Sequence, residues 1–125
     1  MATRVAALVR SVSDPAVRTL GVWDAGQLSA HMTHVFEVDL DLLHERPSPL
    51  ADLDDLSELV QSRVRDESTY DKEALAGRVE AAAEGFLAAA AALDGTEPRF
   101  WLGGAKVTAS VLACHIVSES LVHGL

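Results

Sequence analysis

The sequence predicts an all-α protein, a four-helix bundle with one longer crossover connection. Three observations lead there. The 125 residues are poor in aromatics, at 5%, and rich in Ala, Leu, Glu and Arg, a composition that favours helix over strand. Apolar residues recur at a helical period in several long segments. Capping residues, prolines and glycines stand at the ends of those segments, where helices start and stop.

Residues 2–11 place Val5, Ala6, Leu8 and Val9 inside and Arg4 and Arg10 outside, a short first helix. Ser13-Asp14-Pro15 ends it, since the residue before proline avoids the α region, and residues 19–22 read as a loop. Asp24 is a good N-cap for the second helix, with Gln27 completing a capping box and Val22 and Leu28 forming a hydrophobic staple. Leu28, Met32, Val35, Phe36, Leu40 and Leu43 then repeat at helical spacing to about Glu45, before Pro47 and Pro49. Residues 46–70 form the crossover. Asp52, Asp54 and Asp55 can cap a short helix carrying Leu56, Leu59, Val60 and Val64, and 65–69 is a polar connection. Ser68 or Asp71 starts a long helix to about Leu93, ended by Asp94-Gly95, with Gly95 in the left-handed position. Residues 96–104 connect onward through Phe100, Trp101 and a Gly103-Gly104 turn. The last helix runs from about Lys106 to His123, with Gly124 as its C-cap.

Composition narrows the function. A net charge of −9 argues against nucleic acid, whose phosphates call for clustered Lys and Arg, and against an anionic membrane surface. No apolar run reaches the roughly 18 residues that span a bilayer, and the first residues hold too short an apolar block for a secretory signal. One cysteine allows no internal disulfide, so a cytoplasmic setting is expected. Cys114 is expected to be a small buried hydrophobe, turned about 100° from His115.

Four of the five histidines fall on two helices: His31 and His34 on the second, His115 and His123 on the last. Glu119 stands one turn from both His115 and His123, so all three share a face. His115 and His123 are separated by roughly 12 Å along the axis, too far to share one ion. That leaves His115 with Glu119, or Glu119 with His123, joined by a histidine of the second helix. Two histidines and a carboxylate with open positions suit catalytic zinc, and equally iron or nickel. Against this stands the ordinary reading, in which a lone histidine on a helix is a core or surface residue and E-x-x-x-H arises by chance. His34 is read as packing and His44 as solvated.

The stretch Trp23-Asp-Ala-Gly-Gln-Leu28-Ser-Ala-His31 resembles the motif W-x-x-x-x-L-x-x-H of DinB-like bundles. More narrowly, it resembles the N-terminal domain of mycothiol-dependent maleylpyruvate isomerase. Glu119-Ser-Leu-Val-His123-Gly124 resembles that family's E-x-x-x-H-G element, and Leu102-Gly-Gly fits the linker before it. The resemblance implies a DinB-like four-helix bundle over residues 1–125, with His31, Glu119 and His123 as ligands of a divalent metal, commonly zinc. It also implies a low-molecular-weight thiol, mycothiol in actinobacteria. Family members continue past His-Gly into an Asp-containing segment and often a second domain. The sequence stops at Leu125, so a truncated chain or a weakened site is expected.

The expected function is a metal-dependent, thiol-using isomerase or S-transferase acting on a small electrophile. The alternative is a catalytically silent bundle serving as an interaction or regulatory module, a homodimer being one form of it, with Phe100 and Trp101 at its interface or packed over the bundle end.

Overall fold

The computed structural model describes residues 1–19, 21–67 and 70–123. The protein is mostly helical, with α1 (Ala2–Ser11), α2 (Ala25–Leu43), α3 (Leu56–Asp66), α4 (Lys72–Ala90) and α5 (Ala109–His123), plus a two-stranded sheet of β1 (Phe100–Leu102) and β2 (Ala105–Val107). α2 is the central element. It packs against α4, α5 and α3, while α1 lies on α4. One core cluster joins Val5 and Val9 of α1, Met32 and Phe36 of α2, Leu75, Val79 and Phe86 of α4, and Leu112 and Ile116 of α5. No helix among the described residues is long and apolar enough to cross a membrane.

The start of α2 follows from its sequence. Gln27 N donates to Asp24 Oδ1 at 2.7 Å and Asp24 N donates to Gln27 Oε1 at 3.0 Å, a reciprocal capping box. Two further amides find carbonyls in the preceding loop, Ala25 N on Val17 O at 2.9 Å and Gly26 N on Pro15 O at 2.8 Å. The expected staple does not form. Val22 is 74% exposed, and the residue directly before the cap is Trp23, which turns toward α3 and donates from Nε1 to Gln61 Oε1 at 3.2 Å.

Asp71 is the N-cap of α4, accepting from Glu73 N and Ala74 N. The alternative cap, Ser68, lies outside the described residues, as do Leu20 of the expected 19–22 loop and Gly124, the expected cap of α5. α4 ends at Ala90 rather than near Leu93, and Gly95 does not take a positive φ. A left-handed residue instead follows α2: Glu45, at φ 58. Its carboxylate accepts from Arg99 Nη2 at 2.6 Å, tying the end of α2 to the base of the hairpin.

The hairpin corrects the all-α expectation. Phe100 pairs with Val107, Trp101 with Lys106 and Leu102 with Ala105. Gly103 and Gly104 form the two-residue turn at φ 56 and 88, positive at both positions, as right-twisted hairpin strands require. Residues 105–107 are therefore strand, and α5 begins three residues later than Lys106, with Thr108 Oγ1 accepting from Val111 N. Phe100 is buried in the core while Trp101 is half-exposed, so the two aromatics do not form one surface.

α5 is apolar on nearly every side. Ala109, Leu112, Ile116 and Ser120 face inward, yet Val111, Val117, Leu121 and Val122 are exposed. Cys114 is exposed too, contrary to the expectation of burial.

Candidate metal centre

Three helices each turn one row of side chains toward a common cavity of about 490 Å³. α2 contributes His31, His34, Val35, Val38 and Leu42, and α3 contributes Leu56, Leu59, Val60 and Arg63. α5 contributes His115, Glu119 and His123. These rows follow the i, i+3, i+4 spacing of one helix face. On α5 the row sits one residue off the buried row Leu112, Ile116, Ser120, so it borders the core and still reaches the cavity. Ser29 and Thr33 of α2 and Ser120 of α5 are buried with hydroxyls satisfied on carbonyls one turn back in their own helices, which offsets the cost of burying them.

The histidine of α2 and the acid–histidine pair of α5 converge. His31 Nε2 is 3.3 Å from Glu119 Oε2, and His123 Nε2 is 3.5 Å from the same oxygen. One ligand atom from each residue lies within 4.8 Å of the others. Two ligands each about 2.1 Å from a tetrahedral ion stand about 3.4 Å apart, close to the two separations made by Glu119 Oε2, so these three residues could hold a divalent ion. Of the two pairings open from sequence, the structure assembles Glu119 with His123. The hydrogen bond from His31 holds the Glu119 carboxyl below its ordinary range, aided by the charges of His115, His31 and His123.

Trp23 has a place at the centre that its motif alone did not reveal. Its ring packs on His31 at 4.7 Å between centroids and lies 6.5 Å from His123, while His31 and His123 meet edge to face at 5.2 Å. Fixed at its indole N–H by Gln61, Trp23 limits the rotation of the His31 imidazole.

His115 is held elsewhere. Its Nδ1 donates to Asp39 Oδ2 at 2.8 Å, leaving Nε2 toward Glu119 Oε1 at 3.9 Å. Asp39 is wholly buried, and its Oδ1 has no hydrogen-bond partner among the described residues. Burial pushes its carboxyl up while the His115 bond pulls it back. The same bond raises His115 above its ordinary value. The sequence signal for Asp39 was a charge on the apolar row Met32, Val35, Phe36, Leu43.

His34 belongs to a second polar cluster. Its Nε2 is 2.8 Å from Glu67 Oε2, and Arg78 joins that oxygen from Nη1 at 2.9 Å. Arg78 also clasps both oxygens of Glu37, at 2.7 and 2.8 Å. His44 is exposed at the end of α2, as expected.

The family model for the mycothiol maleylpyruvate isomerase N-terminal domain matches residues 1–125, the whole sequence. No curated protein and no solved structure matches the chain. The chain belongs to the mycothiol maleylpyruvate isomerase N-terminal domain family.

Proposed function

We propose that the protein is a metal-dependent, low-molecular-weight-thiol-dependent isomerase or S-transferase acting on a small electrophile, built on a four-helix bundle of α1, α2, α4 and α5. The observation that carries this reading is the convergence of His31 Nε2, Glu119 Oε2 and His123 Nε2 at the edge of a ligand-sized cavity. Membership of the family supports it and suggests mycothiol as the thiol.

In this reading His31, Glu119 and His123 hold a divalent ion, with zinc the best match to two imidazoles and a carboxylate. Such an ion supplies Lewis acidity, which favours the thiolate of an incoming thiol near neutral pH. Trp23 orients His31, and the low pKa of Glu119 keeps its carboxylate charged for the ion. The aliphatic wall excludes water from the reacting carbons. His115, its Nδ1 proton committed to Asp39, presents an unprotonated Nε2 to the cavity when neutral.

The chemistry open to such a site begins with attack of the thiolate sulfur on an activated double bond, the electron pair moving to the conjugated carbonyl. Rotation about the resulting single bond and expulsion of the thiolate completes an isomerisation. Retention of the carbon–sulfur bond, with a proton delivered to the neighbouring carbon, completes a transfer.

Titration of the zinc-supplemented protein with mycothiol in a calorimeter tests this reading. Binding that disappears in Glu119→Gln is the expected result. A metal-loaded protein with no affinity for the thiol would favour a second reading, a catalytically silent module that associates through a surface. The exposed Val117, Leu121 and Val122 of α5 are the observation behind that alternative, and a homodimer is its simplest form.

A further inference from the structure

The cavity is far less polar than the triad at its edge. Apart from the histidines and Glu119, the polar side chains that line it are Ser48 and Arg63. The rest is aliphatic or aromatic, including Leu42, Leu50, Leu59 and Leu102. Its volume of about 490 Å³ lies within the span of small-ligand sites.

Arg63 is the one lysine or arginine on the cavity wall among the described residues. Leu56, Leu59, Val60 and Arg63 line it from α3, while Val64, one residue on, is the buried residue of that helix. Arg78 and Arg99 are clasped by carboxylates, but Arg63 makes no ion pair with any described residue. It is half-buried. A guanidinium cannot shed its charge, and its planar fork matches a carboxylate. Against an apolar wall, where water competes less, that match strengthens.

Resting on the reading of this cavity as the substrate site, we propose that it selects a small monoanion with an apolar body, an aliphatic or aryl carboxylate whose carboxylate sits on Arg63 and whose carbon skeleton fills the leucine-lined space. A short dicarboxylate is disfavoured. Its second charge would compete with the thiol for the metal or lie against leucines, where an unpaired charge is costly.

Calorimetric titrations of the full chain, supplemented with zinc, use three probes: octanoate, octan-1-ol and fumarate. Octanoate is expected to bind at least tenfold tighter than octan-1-ol, and fumarate to bind weakest. Arg63→Gln lowers octanoate affinity about tenfold, leaves octan-1-ol unchanged and keeps the zinc stoichiometry, while Arg63→Lys recovers part of the loss. Equal affinity for octanoate and octan-1-ol would overturn the proposal, since an arginine that only covers apolar surface with its stem gives that result. So would an Arg63→Gln protein that binds octanoate as wild type, or a preference for fumarate. Failure of the metal reading looks different: no zinc uptake, with Arg63-dependent octanoate binding intact.

Discussion

Two histidine–carboxylate clusters start from histidines one turn apart on α2, and they differ in one component. His34 meets Glu67 at 2.8 Å, and His31 meets Glu119 at 3.3 Å. In the first, Arg78 supplies a permanent positive charge to Glu67 and Glu37 together. In the second, only imidazoles face Glu119 among the described residues. A guanidinium satisfies carboxylate lone pairs and cannot be displaced by a proton equilibrium, so the Arg78 cluster is a structural joint between α2, α4 and the end of α3, with His34 Nδ1 its buried nitrogen without a partner among the described residues. The Glu119 cluster keeps its carboxylate charge and two imidazole nitrogens directed at one point. An arginine, more than a histidine, separates a buried ion-pair network from a ligand set.

The comparison can be broken by substitution. The largest effect is expected at His31. With zinc at a hundred times its dissociation constant, wild-type protein should gain about 2.7 kcal/mol of stability, and His31→Ala should gain close to none. Thermal unfolding with and without zinc reads this directly, and an equal gain in both proteins would remove His31 from the site.

Arg78→Ala should cost about 1–3 kcal/mol, because the largely buried Glu67 carboxylate loses its guanidinium partner. It should leave zinc binding unchanged. Denaturant unfolding measures the first and metal titration the second, and lost zinc binding in a folded Arg78→Ala protein would erase the distinction between the clusters.

Asp24→Ala should cost about 1 kcal/mol through loss of the capping box. A cost well above that would show that the entry to α2 also holds Trp23 against His31. The subtlest effect is electrostatic. In metal-free protein the His115 imidazole should titrate above an ordinary histidine, since its charged form is favoured by Asp39. Asp39→Asn should move that midpoint down, followed by imidazole NMR signals, and an upward shift would contradict the assigned hydrogen bond.

Much of this arrangement was legible in the residues, and what was not has physical causes. α2 and α4 are long amphipathic elements and α1 a short one, and the Asp24–Gln27 box marked the start of α2 to the residue. The hairpin was missed because strands of three residues are too short to show alternation, although Gly103-Gly104 between Phe-Trp-Leu and Ala-Lys-Val is a two-residue turn signal. Cys114 was misplaced because α5 is apolar all round, so its period does not say which side is buried. The His31–Glu119–His123 grouping came from spacing and family resemblance together, and the structure brings those three residues into one place. Asp39 and Arg63 were not singled out in the sequence, because their roles depend on neighbours from other helices: His115 for one, the cavity for the other. Trp23 carried a motif position without a stated task until its ring was seen against His31.

The proposed chemistry requires an ion held by the Glu119 cluster. Elemental analysis of the native protein, purified without chelator, tests this most directly. About one divalent metal per chain, lost in His31→Ala and kept in Arg78→Ala, is the predicted result. A metal-free protein that takes up no added zinc would contradict it.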